Sequence, residues 1–90
     1  MIIVSQDKEK IVNFDNLTQV YITQDEEETA YFIRYETVDS LYDDLGKYKT
    51  EERAKEVLQE ITRQYENSMW KLGKTILSFQ DEFVYRMPED

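Results

Sequence analysis

Carboxylates and phenols dominate the side chains with which this chain could do chemistry. It carries 20 Asp and Glu residues and seven Tyr, but no His and no Cys. Without His it lacks the commonest general base and the commonest transition-metal ligand. Without Cys it has no thiol nucleophile, zinc thiolate site or disulfide. Ser-His-Asp and Cys-His systems therefore cannot be assembled. Gly46 and Gly73 are the only glycines, so there is no glycine-rich phosphate loop. A carboxylate pair catalyses acid–base chemistry only where burial drives its two pKa values apart, and these acids fall mostly in turns and on the solvent side of a helix. The expectation is a protein that is not an enzyme, with no cofactor and no tight metal site.

Two acidic clusters and one tyrosine pair remain as candidates for binding. Asp25-Glu26-Glu27-Glu28 is rich in oxygen ligands but lacks the spacing and the glycine of a calcium loop, so it reads as a solvated turn. Glu52, Glu56 and Glu60 recur every four residues, about 6 Å apart at the α-helical rise. Like charges at that spacing mildly destabilise a helix, and Lys55 and Arg63 offset this only in part. A solvated helix face accounts for the stripe, and a basic partner would account for its cost. Tyrosine is favoured both in sheets and at interfaces, and a small core cannot bury seven phenols with a partner for each hydroxyl. Tyr31 and Tyr35, two residues apart on one strand, are candidates for an exposed sheet-face patch. The alternation does not say which face the helix covers. The partner-binding candidates are thus Glu26, Glu27, Glu28, Glu52, Glu56, Glu60, Tyr31 and Tyr35.

The elements that position these residues are legible in outline. Ninety residues suffice for one domain, 1–90, and not for two. Ile2 to Val4 and Ile11 to Phe14 read as a hairpin around the polar Gln6-Asp7-Lys8-Glu9. That turn has no Gly, which disfavours a tight two-residue primed turn. After the turn signal Asp15-Asn16, a strand is expected from Thr18 to Thr23, with Val20 and Ile22 on one face and Tyr21 and Thr23 on the other. A strand from Thr29 to about Thr37 is apolar on both faces and reads as central in its sheet. Leu41 to Tyr48 is a weaker strand whose Asp43 and Asp44 suit an edge.

The strongest local signal is a helix beginning after Thr50, a good N-cap followed by Glu51 and Glu52 in the first turn. Ala54, Val57, Leu58, Ile61 and Tyr65 form its buried stripe. The stripe continues through Met69 and Leu72, with Gly73 suited to end it. The alternation of Trp70, Leu72, Leu77 and Phe79 instead favours a stop near Asn67, with Met69–Leu72 and Thr75–Phe79 paired around Gly73-Lys74. Phe83 to Met87 reads as a last strand ended by Pro88. The fold class expected is α+β: a small antiparallel, meander-like sheet of five to six strands, packed against one main helix of about Glu51 to Glu66.

Two segments carry a resemblance. Ile3-Val4-Ser5-Gln6-Asp7 with Ile11-Val12-Asn13-Phe14-Asp15-Asn16, and Leu45-Gly46-Lys47-Tyr48-Lys49-Thr50-Glu51-Glu52-Arg53-Ala54-Lys55-Glu56-Val57-Leu58, resemble small uncharacterised proteins of Gram-positive bacteria and their prophages. Met87-Pro88-Glu89 echoes them. Such proteins often carry Gly where this chain has Lys8. The resemblance implies a small sheet with one packed helix and a bacterial or phage origin, and it implies no activity.

Charge narrows the partner. The formal net charge is -9 and the pI near 4.4, a surface that repels phosphate backbones and anionic lipid and attracts bases. The expected partner is a protein with a basic surface, with no direct nucleic acid and no membrane, and with homo-oligomerisation left open. The start of the chain lacks the basic and apolar runs of a signal peptide, and no apolar stretch reaches membrane-spanning length, so a cytoplasmic setting is expected. Two functions fit: a binding module, in its sharpest form an anti-CRISPR or other anti-defence inhibitor, or a self-associating structural or accessory protein of a mobile element.

Overall fold

The computed structural model describes residues 1–27, 29–74 and 84–90, with backbone alone over 69–74. Within them the chain is α+β. The order is β1 (Ile2–Val4), β2 (Ile11–Asn13), a 3-10 turn (Phe14–Asn16), β3 (Leu17–Gln24), β4 (Tyr31–Thr37), β5 (Tyr42–Tyr48), α1 (Glu51–Lys74) and β6 (Val84–Arg86).

The strands form two three-stranded sheets rather than one meander. The first has the order β2-β1-β6 and the second β3-β4-β5. The expected opening hairpin is present, with Ile2 opposite Asn13 and Val4 opposite Ile11. Its turn is built by side chains. The Ser5 hydroxyl donates to Asp7 Oδ1 at 2.5 Å and accepts from Lys10 N at 3.0 Å. Asp7 Oδ1 also accepts from Glu9 N at 2.9 Å. Lys8 sits at φ 65°, the left-handed region where glycine is at ease.

What breaks the single-sheet expectation is β6. It pairs with β1 in parallel, Ile3 beside Tyr85, so the chain's two ends share a sheet from which β3, β4 and β5 are absent. Parallel neighbours need a long crossover, and α1 lies within that connection.

The second sheet is the antiparallel meander foreseen, with β4 central and β5 at an edge. A bulge on β5 sets Ile33 opposite Gly46 and Arg34 opposite Asp44, leaving Leu45 as the extra residue. Gln6 then joins the two sheets. Its backbone N–H donates to Leu45 O at 2.8 Å, its Oε1 accepts from Lys47 N at 2.8 Å, and its Nε2 donates to Lys47 O at 3.0 Å. The same Nε2 reaches the carbonyls of Pro88 and Glu89 at 3.2 and 2.8 Å. One amide thus ties the first hairpin, β5 and the C-terminal segment together.

The helix starts where its signals place it. Thr50 Oγ1 accepts from Arg53 N at 3.1 Å, an N-cap bond, and Lys55 pairs with Glu51 at 2.7 Å. Its end differs from the expectation. The helix runs through Asn67 to Lys74, so Met69–Leu72 is helical and not a strand. The apolar spacing carried on to Met69 and Leu72 outweighs the short alternation, and Ser68, buried, donates its hydroxyl to Tyr65 O at 2.9 Å rather than breaking the turn. The segment Thr75–Phe79 lies outside the described residues. Ala54, Val57 and Ile61 are buried, while Leu58 and Tyr65 are half-buried. One core gathers Ile3, Ile33, Leu45, Tyr48, Met87 and these three helix residues.

Candidate functional site

The acidic turn between β3 and β4 is held by Asp25. Its carboxylate accepts from Thr29 N at 2.7 Å, Thr29 Oγ1 at 2.6 Å and Ala30 N at 3.2 Å. The Thr29 hydroxyl bond is the main reason that the Asp25 carboxyl is held below its ordinary pKa. Asp25 is therefore committed to the turn. Glu26 and Glu27 are exposed, and among the described residues their side chains make no hydrogen bond or ion pair. Glu28 lies outside the described residues.

The helix stripe divides by role. Glu52 and Glu56 point to solvent, and Glu56 meets Arg53 at 3.3 Å. Glu60 is half-buried and engaged within the protein. Its Oε1 accepts from the Tyr85 hydroxyl at 2.6 Å and its Oε2 from Arg53 Nη1 at 3.3 Å. Arg53 Nε in turn donates to Asp90 O at 3.0 Å. Burial first, and then the bond to Glu60, pushes the Tyr85 phenol well above the ordinary tyrosine pKa. Glu60 thus locks β6 and the C-terminus to the helix. Ile22, Thr23, Gln24 and Tyr31 share a shallow cleft with Glu51 and Lys55. The acidic turn, which starts directly after Gln24, therefore lies at the same end of the molecule as the start of the helix.

Tyr31 and Tyr35 stand on the face of β4 that packs on the core, in a row with Ile33. The structure thereby decides what the alternation left open: the helix covers the tyrosine row. The uncovered face carries the other row. There Tyr21, Arg34 and Asp44 are neighbours across three strands, as are Thr23, Phe32 and Lys47. Arg34 Nε donates to Asp44 Oδ1 at 2.8 Å, and its guanidinium lies 4.9 Å from the centre of the Tyr42 ring. The Lys47 ammonium lies 5.9 Å from the Phe32 ring. Sequence reasoning missed this patch. The signal was Arg34, whose charge marks its own row of β4 as the solvent side.

Among the described residues, two carboxyl groups are clearly shifted by their hydrogen bonds. The carboxyl groups with a clear shift, Asp7 and Asp25, are both moved down, each chiefly by a hydroxyl bond, and a general acid needs the opposite. No three potential metal-ligating side chains converge among the described residues, and no helix is long and apolar enough to cross a membrane. No protein-family model, curated protein or solved structure matches this chain.

Proposed function

We propose that this chain is a non-catalytic protein-binding module of bacterial or phage origin, which sets its acidic surface against the basic nucleic-acid site of a host protein as an anti-CRISPR or other anti-defence inhibitor. One observation carries this reading. Lys8, Lys10, Arg34, Arg53 and Lys55 are each held by a carboxylate of the same molecule, whereas Glu26 and Glu27 have no such partner among the described residues. Much of the chain's positive charge is neutralised internally, and the surplus acid is presented outward. Charge of this kind accelerates encounter with a basic surface and makes binding salt-dependent.

The test is capture from a bacterial lysate at low and high salt, comparing the wild type with a variant carrying Glu26→Lys, Glu27→Lys, Glu52→Lys and Glu56→Lys. Glu60 is spared because it holds Tyr85 and Arg53. The wild type should capture a nucleic-acid-binding protein that salt releases and the variant fails to hold. Equal capture by both proteins at low salt would overturn the reading. Recovery of the chain itself and nothing else would favour the alternative, a self-associating structural or accessory protein without inhibitory role. The exposed Val38, Leu41 and Tyr42 around the β4–β5 turn are the observation on that side.

A further inference from the structure

The two sheets present four outer edges, β2 and β6 on one and β3 and β5 on the other. Exposed edges invite pairing with another chain, and proteins blunt them by shortness, charge, bulges or cover. Three are blunted here. β2 and β6 have three residues each. β5 carries Asp43, Asp44 and a bulge, and Gln6 occupies its outer groups at Leu45 and Lys47. The fourth edge, β3, is the longest strand among the described residues at eight, Leu-Thr-Gln-Val-Tyr-Ile-Thr-Gln. It holds no charge, no Pro and no Gly, in a chain that is 34% charged.

The direction of its backbone groups follows from the ladder. Asp25 N donates to Ala30 O, which makes that facing pair a hydrogen-bonded one. Such pairs alternate along an antiparallel ladder, so Thr23·Phe32 and Tyr21·Arg34 are hydrogen-bonded too. Val20, Ile22 and Gln24 therefore turn their N–H and C=O groups away from β4. Among the described residues nothing pairs with them.

We infer that this edge is a seam for a second copy of the chain: two β3 strands pair antiparallel about a two-fold axis at Ile22, joining the two β3-β4-β5 sheets into one of six strands. The strand is self-complementary in that register. Ile22 meets its own copy and Val20 meets Gln24, so three outward N–H groups on each strand find three outward carbonyls on the other. On the open face Tyr21 falls beside Thr23 of the second copy, and no like charges stand opposite each other. That neutrality matters because each body carries -9. A two-fold axis here also sends the acidic turns, which follow Gln24 directly, to opposite ends of the seam. Thr18 falls outside the regular run because the register slips between Leu17 and Gln19, which is why the axis falls on Ile22.

This pairing is independent of the proposed basic partner, and salt separates the two. Screening relieves repulsion between two acidic bodies and strengthens the dimer, whereas it weakens a contact between acid and base. The experiment is sedimentation over a range of protein and salt concentrations, with amide hydrogen exchange by NMR on the same samples. Two variants accompany it. Gln24→Pro deletes an outward N–H without touching the β3–β4 ladder. Thr23→Lys sets a charge on the open face at the seam.

The expected result is a dimer that grows with protein concentration and with salt. The amides of Val20, Ile22 and Gln24 should gain protection in step with it, while those of Tyr21 and Thr23 are protected throughout. Both variants should stay monomeric where the wild type is dimeric, and their thermal midpoints should match the wild type's at dilutions where all three are monomeric; if the proline variant unfolds, Thr23→Lys decides. A wild type that stays monomeric at every condition would overturn the inference. So would a dimer in which those three amides exchange freely, or amides protected equally at all concentrations, which would mean that the edge is covered within the chain.

Discussion

Two residues at the centre of the molecule show how much of the packing rests on phenols. Tyr48 is buried, and its hydroxyl donates to Pro88 O at 2.8 Å. Burial pushes its pKa up to about 12 from an ordinary 10.0, and Tyr85 is raised as well. A phenol whose folded pKa lies above its unfolded one stabilises the fold fully below pH 10, and that stabilisation is lost as pH rises through the folded value. The thermal midpoint should therefore change little with these groups below pH 10 and fall between pH 10 and about 12, with part of the tyrosinate absorbance appearing only on unfolding. Titration of all seven tyrosines near pH 10 in a folded protein would contradict this. Gly46 belongs to the same cluster. A Cβ there would lie 2.9 Å from the Tyr48 ring and hydroxyl and 3.2 Å from Met87 Cε, and Tyr48 is not free to swing away. Gly46→Ala should destabilise by about 1–3 kcal/mol, the usual cost of overpacking, measured by urea unfolding.

At the scale of the element, the helix anchors the fold through one narrow stripe. Ile61 is 2% exposed, whereas Leu58 is only half-buried on the flank of the stripe. Ile61→Ala should cost about 2–5 kcal/mol, the range for a truncated core aliphatic, and Leu58→Ala should cost less. Equal losses, or none at Ile61, would mean that the helix packs on another face. The strands follow a related rule. Each reads correctly from its own alternation, and β3, β4 and β5 fall near their expected bounds. Which face is wet depends on a neighbour: α1 on one side of β4 turned the Tyr31, Ile33, Tyr35 row inward and left Phe32, Arg34 and Glu36 outside.

For the whole molecule, charge is the property that distinguishes a functional acidic surface from a merely solubilising one. Binding to a basic partner should weaken steeply with salt, and reversing Glu26, Glu27, Glu52 and Glu56 should slow association more than it speeds dissociation, because rim charges act mainly on the encounter. Surface plasmon resonance on the captured partner reads both rates. If the quadruple variant associates at the wild-type rate at low salt, the acidity serves solubility alone.

Composition and local pattern determined the α+β class, the helix start at Thr50, the opening hairpin and the lack of histidine or cysteine chemistry, because these depend on residue type and on spacings of two to four residues. The early end expected for the helix failed, since an alternation that suited paired strands over Met69 to Phe79 competed with a helical spacing over the same residues. Only the tertiary structure decided that β6 pairs with β1, that Gln6 joins two sheets, and that Glu60 accepts from the Tyr85 hydroxyl. Those contacts link residues 25 to 83 positions apart. No local propensity encodes them: they form when the packed core brings distant backbone together and offsets the entropy of closing such long loops.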